Sequence, residues 1–220
     1  MTTRAPITLH FHPLSSYCHK VLIALYENET PFTPNLVNLR NEEERSALRK
    51  LWPIGKFPVL ADHARNWSVA ESSIIIEYLD QHYPGKTKLV PADSDLARQM
   101  RLRDRFFDLY IHLPMQKIVG DRLRPADKKD AYGVGEARAH MTTALDMLDQ
   151  TMAKNTWATG ETFTMADCAA APALFYANKV MPFATNHANA AAYLQRLTQR
   201  PSYARALKEA EPYFKYFPQE

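Results

Sequence analysis

The sequence predicts an α/β part followed by an all-α part, and three observations carry that expectation. In residues 1–83 short strand-like runs alternate with helical periodicity in the order βαβαββα, the order of a mixed four-stranded sheet with helices packed on it. Beyond residue 93 no segment reads as a strand. Between them Gln81 to Asp93 carries two prolines and a glycine without hydrophobic period, which marks a linker. The expected organisation is residues 1–83, a linker at 84–92, and a helical bundle at 93–220.

Each element has its own reason. Ile7 to His12 and Asn35 to Leu39 alternate apolar and polar side chains, as strands do. From Cys18 to Glu27, Cys18, Val21, Leu22 and Leu25 share one helical face, and Ser15 or Ser16 supplies the N-cap. Glu42 to Leu51 is a charged surface helix with one apolar edge at Ala47, Leu48 and Leu51. Phe57 to Ala61 and Trp67 to Ala70 make two short strands about a turn at Asp62 to Asn66. Ser72 to His82 is helical, with Ile75, Tyr78, Leu79 and His82 on one side.

In the second part Ser94 to Ile118 is a long helical pattern interrupted near Pro114, and Gly133 to Ala153 is another, striped by Met141, Leu145, Leu148 and Met152. Thr164-Met-Ala-Asp167 has the spacing of a capping box, with Phe163 placed to staple onto Cys168. Pro172 inside that helix removes one hydrogen bond. Ala188 to Gln199 and Ser202 to Ala210 complete the helices, the last opened by Pro201.

Composition excludes several classes. With 46% apolar and 23% charged residues in a chain of 220, a real core is affordable and a disordered tail is excluded. The longest apolar stretches, such as Cys168 to Ala177, fall short of the ~20 residues that span a bilayer, so no membrane partner is expected. Met1 to Pro6 has no apolar segment resembling a secretory signal, and a cytoplasmic location is expected. Two cysteines, Cys18 and Cys168, build neither a disulfide framework nor a four-cysteine zinc site. The net charge of +3 is weak for a nucleic-acid binder. Residues 1–80 hold 8 basic and 9 acidic side chains against 19 and 15 in residues 81–220, so the slight basic excess lies in the second part. His10 and His12 share a strand face but lack a third ligand in register, and no metal is expected.

Three stretches carry chemistry. Ser15-Ser-Tyr-Cys-His19 sits where a strand ends and a helix begins, so hydroxyls and open backbone N–H groups meet beside the positive end of a helix. Two readings stand: the serines cap the helix, or one of them donates a hydrogen bond to a substrate thiolate. In Lys56-Phe-Pro-Val-Leu60 the proline directly before a strand suits a cis bond or an edge. A cis Phe57–Pro58 bond would turn the Val59 backbone outward, its N–H and C=O free for a peptide-like ligand. At Glu71-Ser72-Ser73 the acid is either a solvated charge beside an N-cap, or both residues bind an α-amino-acid head, Glu71 taking its ammonium and the helix N-terminus its carboxylate.

In order and spacing these stretches, with Thr159-Gly-Glu-Thr-Phe-Thr-Met-Ala-Asp167, resemble the soluble glutathione transferase superfamily over nearly the whole chain. The resemblance implies a thioredoxin-like N-terminal domain, an all-helical C-terminal domain, a homodimer, glutathione as co-substrate, and conjugation of its thiolate to a small electrophile. It implies Ser15, or failing that Ser16, as the hydrogen-bond donor to the glutathione sulfur. Lys56 then faces the glycyl carboxylate, Phe57, Pro58 and Val59 the cysteinyl unit, and Glu71 and Ser72 the γ-glutamyl head. Tyr17 and Leu22 stand where the zeta class has a cysteine and an arginine, Glu43 lies near where theta members place a histidine, and Trp52 replaces the usual asparagine before Pro53.

Asp104 lies on the apolar stripe of Met100, Phe107 and Ile111, and a buried acid requires a partner. It either meets the γ-glutamyl ammonium, across the implied dimer, or pairs with an arginine such as Arg101. Tyr17, Tyr110, His112, Tyr176 and Phe217 are the aromatic candidates for the electrophile pocket, with a core or interface role as the alternative for each. Two other functions share this architecture: a non-catalytic, glutathione-binding regulatory protein, and a glutathione-dependent thiol-disulfide reductase or peroxidase. The reductase would work through Cys18, which sits at the second position of a C-x-x-C pair but also on the apolar face of its helix.

Overall fold

The structure is a computed structural model that describes residues 5–218. By contact these fall into two compact units, one running to Val90 and joined by Pro201–Tyr213, the other Pro91–Arg200 with the residues from Phe214 on. The grouping of all of 93–220 expected from the sequence therefore differs at the segment Pro201–Tyr213, which clusters with the first unit.

The first unit holds β1 (Ile7–Phe11), α1 (Ser16–Glu27), β2 (Thr33–Leu36), α2 (Glu42–Leu51), β3 (Val59–Asp62), β4 (Trp67–Ala70) and α3 (Ser72–His82). The sheet order is β2-β1-β3-β4; β1 pairs parallel with β2, while β3 runs antiparallel to both β1 and β4. A parallel pair needs a long crossover, and the 12-residue α1 supplies it. This is the thioredoxin-like mixed sheet that the resemblance implied.

Two strands begin elsewhere than expected. β2 starts at Thr33, because Thr33 to Leu36 register against Thr8 to Phe11; Pro34 is tolerated there since β2 is an edge strand. β3 begins only at Val59 because Pro58 has no N–H to give a ladder, and it extends to Asp62, opposite Ile7 and Trp67. The turn that follows is built by Asp62, whose Oδ1 accepts the backbone N–H groups of Ala64 (3.0 Å) and Arg65 (3.1 Å), with Asn66 at φ +50°.

Asn41 caps α2 by accepting from the N–H groups of Glu43 and Glu44; acids fill the first turn and Arg49 and Lys50 the last, as the helix dipole favours. The buried edge of α2 is Leu48, packed in a cluster with Val37 and Val59 and flanked by Leu51, Trp52 and Phe57. Replacing Leu48 by Ala would cost about 2–5 kcal/mol and loosen the support beneath Phe57.

The second unit is helical: α4 (Ser94–Phe106), α5 (Leu113–Arg122), α6 (Ala131–Met152), α7 (Met165–Val180) and α8 (Ala188–Gln199). The interruption expected near Pro114 takes the form of a π-helical turn at Phe107–His112, just ahead of the proline. Pro114 stands in the first turn of α5; it cannot donate to the carbonyl four residues back, and the wider turn before it accommodates its ring. α7 is buried along nearly its whole length and continues through Pro172. Its capping box forms: Asp167 accepts the Thr164 backbone N–H at 2.8 Å. α9 (Pro201–Ala210) belongs with the first unit and packs on α1. There His19 meets Tyr203 edge-on at 5.9 Å and Tyr26 donates to Glu209 at 2.5 Å. Among the described residues no helix is long and apolar enough to cross a membrane, and no group of three or more His, Cys, Asp or Glu side chains is placed to hold a metal ion.

Candidate functional site

At the C-terminal end of β1 the chain turns tightly into α1. The Ser15 N–H donates to the His12 carbonyl at 3.0 Å, and Ser15 takes the N-cap with extended backbone at φ −81° and ψ 119°. Its Oγ accepts from the Cys18 N–H at 3.4 Å, a long bond. A hydroxyl that accepts a bond keeps its own proton to donate, so capping and donation to a ligand are compatible at Ser15. Ser15 is half-buried at the mouth of the turn, whereas Ser16, the first helical residue, is buried. His19, one turn further on, is fully buried and bonds the Pro13 carbonyl at 2.6 Å, which fixes the loop between His12 and Ser15. Burial pushes His19 down to about 4, so it holds that carbonyl as a neutral ring donor.

Cys18 is fully buried, and desolvation pushes its thiol up to about 12 despite the favourable Ser15 hydroxyl nearby. A thiol that is neither exposed nor ionised at neutral pH cannot run a redox relay. Of the two uses expected for Cys18, the packed thiol is the one its surroundings allow.

The start of α3 is strained. Glu71 occupies the N-cap position with φ +67° and ψ 117°, a conformation that costs a residue with a side chain roughly 1–3 kcal/mol. Its carboxylate makes no capping bond and is exposed, while Ser72 beside it is buried. Lys20 of α1, 1% exposed, donates from Nζ to Ser73 Oγ at 2.8 Å, so a buried ammonium lies behind the N-terminus of α3. Helix dipole and ammonium both favour an anion there.

Between these two helix starts in sequence lies the loop ahead of β3. The Phe57–Pro58 bond is cis. The expectation of a free Val59 backbone is corrected by the sheet register: Val59 stands opposite His10 on one side and Ala70 on the other, enclosed by the ladder. The backbone that lies outside the ladder is that of Phe57, half-buried and separated from it by Pro58, with Lys56 exposed one residue earlier. The Phe57 ring stacks on His12 (centroids 6.0 Å, 19°), and His12 meets Tyr213 edge-on at 5.4 Å. His12, Lys20 and Tyr213 were not among the residues expected at a site. The available signal was that Lys20 is the lone cation in the run Cys18 to Leu25.

The expected pocket residues do not share one environment. Tyr17 is half-buried in the first unit. In the second unit His112 and Tyr176 are core side chains, 1% and 2% exposed, and not open pocket walls. Gln116 Nε2 lies 3.3 Å from His112 Nε2, and Tyr176 stacks on Phe217 at 5.5 Å. Tyr110, on the π-helical turn, is the exposed one of this set at 55%. Asp104 is buried with Arg105 Nε at 4.0 Å, while Arg105 binds neighbouring Asp108 at 2.6 Å.

The family model described as glutathione S-transferase, N-terminal domain, matches residues 9–87, and the corresponding C-terminal domain model matches residues 96–196. A glutathione S-transferase of Pseudomonas putida (strain F1) is 28% identical over 216 residues, covering 93% of both chains. A stringent starvation protein A homolog of Histophilus somni is 25% identical over 211 residues, 95% of this chain and 93% of its own. Among solved structures, a glutathione S-transferase of Methylobacterium radiotolerans in complex with glutathione sulfonate matches with a TM-score of 0.80 at 28% identity, over 93% of this chain and 94% of that one. The glutathione transferase URE2P8 of Phanerochaete chrysosporium, solved with oxidized glutathione, matches at 0.86 and 19% identity over 98% and 99%, a likeness of fold.

Proposed function

The chain belongs to the glutathione S-transferase superfamily, and we propose that it binds glutathione on its first unit and conjugates the thiolate to an electrophilic small molecule. The observation that carries this reading is Glu71, held at φ +67° with its carboxylate uncommitted beside the buried Ser72. Strain held at an open helix start is typical of a ligand clamp and supports this reading. Glu71 takes the γ-glutamyl ammonium, Ser72 and the α3 N-terminus its carboxylate, and the exposed Lys56 the glycyl carboxylate. The cysteinyl unit pairs with the backbone of Phe57, which lies outside the ladder that encloses Val59.

Ser15 then donates to the sulfur, with Ser16 as the second candidate. Lowering the thiol pKa by two units is worth about 2.7 kcal/mol, within reach of one charge-assisted hydrogen bond and a helix N-terminus. The thiolate lone pair forms the new S–C bond, and the displaced electron pair departs with the leaving group or, in an addition, stays on the electrophile and takes up a proton from water. The same proposal includes a cytoplasmic homodimer. Sedimentation of the pure protein as a monomer would remove that part.

A second reading, a glutathione-binding regulator without transfer activity, is favoured by the relatives named stringent starvation protein A homolog. Calorimetry with glutathione followed by a panel of electrophiles and hydroperoxides separates the two. Binding with turnover supports the transferase; binding without turnover on any compound supports the regulator.

A further inference from the structure

His12 shares the tight turn that delivers Ser15, and its ring is fixed from several sides. Phe57 stacks on one face, Tyr213 closes edge-on, and the Leu14 backbone N–H donates to Nδ1 at 3.1 Å. An Nδ1 that accepts leaves the ring proton of a neutral imidazole on Nε2. Partial burial lowers the His12 pKa, which keeps the ring in that neutral form around neutral pH. Among the described residues no protein group accepts from Nε2. The ring rests on Phe57, whose backbone is the open edge ahead of β3, so it lies beside the place where the cysteinyl unit would pair.

We propose that His12 is a catalytic donor on the electrophile side of this site, and that the substrates are electrophiles whose oxygen gains negative charge as sulfur attacks, namely enones and epoxides. The inference rests on the conjugating reading given above. With an enone, the sulfur lone pair forms the S–C bond at the β-carbon and the C=C pair shifts to place charge on the carbonyl oxygen. With an epoxide, S–C forms at a ring carbon while the C–O pair stays on oxygen. In both, Nε2–H donates a hydrogen bond to the oxyanion and keeps its proton. A proton from water, replacing the one the thiol gave to solvent, completes the product, so the step needs no oxidant and no leaving group.

The test compares wild type, His12→Phe and His12→Gln on an enone and on iodomethane, which builds no oxyanion. His12→Phe keeps a ring between Phe57 and Tyr213 but has no donor, and His12→Gln keeps a donor. Expected is a loss of about 100-fold in kcat/KM on the enone with His12→Phe, less than about twofold on iodomethane, and recovery of about tenfold with His12→Gln. Equal losses on both substrates, or none on the enone, overturn the role of His12. Wild-type turnover of iodomethane but not of enones or epoxides overturns the substrate class while leaving the transferase reading intact. A wild-type protein that binds no glutathione by calorimetry overturns both.

Discussion

Helices α7 and α3 each begin with a hydroxyl and an acid, and the two acids meet opposite fates. At α7, Asp167 is fully buried and accepts from the Thr164 N–H (2.8 Å), the Ala158 N–H (2.8 Å), the Tyr193 hydroxyl (2.6 Å) and the Thr164 hydroxyl (3.2 Å). At α3, Glu71 is exposed, makes no capping bond and sits at φ +67°. One helix start is completed by the protein itself. The other carries strain at Glu71 and leaves that carboxylate without a capping bond, as the ligand site proposed above requires.

The largest effect should come from breaking the closed start. Asp167→Ala strips the partner from buried donors, and urea unfolding should show a loss of at least about 3 kcal/mol, or failure to fold. Breaking the open start should do the reverse. Glu71→Gly relieves the positive φ, offset by the extra freedom glycine has when unfolded, so stability should stay within about 1 kcal/mol. Glutathione affinity measured by calorimetry should fall at least tenfold, about the worth of one hydrogen bond to a charged group. Large destabilisation with unchanged affinity would reverse the assignment of the two helix starts.

Asp62 offers a third acid, closed like Asp167 but titrating in the other direction. Burial alone raises a carboxylate pKa, and at Asp167 it prevails. At Asp62 the Tyr83 and Tyr78 hydroxyls, at 2.7 and 2.8 Å, and Arg65 outweigh burial and hold the carboxyl below its usual range. A depressed folded pKa gives stability that is present above the unfolded value near ~3.9 and is lost as pH falls through the folded one. Asp62→Asn should therefore flatten the acid limb of a stability–pH curve. A limb as steep as that of wild type would mean the cluster contributes nothing.

The smallest effect is expected at Cys18. With its thiol pushed up to about 12 and no exposed surface, Cys18→Ala should leave conjugation within about twofold of wild type. Disulfide reductase activity in wild type that Cys18→Ala abolishes would restore the redox reading.

These contrasts also show what a single sequence reveals. Ser15, Pro58 and Thr164-x-x-Asp167 were legible because capping and cis-proline positions are local, set by neighbours a few residues away. A break near Pro114 was legible too, but not its π-helical form over Phe107–His112, since an apolar stripe runs through it unchanged and the wider turn depends on how Pro114 is accommodated. Val59 was misread because whether a backbone is free depends on strand pairs 49 and 11 residues away, at His10 and Ala70. The grouping of Pro201–Tyr213 with the first unit, and with it the Tyr213 contact to His12, is a long-range packing fact that no periodicity records.

The central claim is that the α1 helix start ionises a bound thiol through Ser15. The direct test is to titrate the thiolate absorbance of bound glutathione in wild type, Ser15→Ala and Ser16→Ala. The account predicts a pKa about two units below that of free glutathione in wild type, a return of at least one unit in Ser15→Ala, and little change in Ser16→Ala. A bound thiol whose pKa is the same in wild type and Ser15→Ala would contradict it.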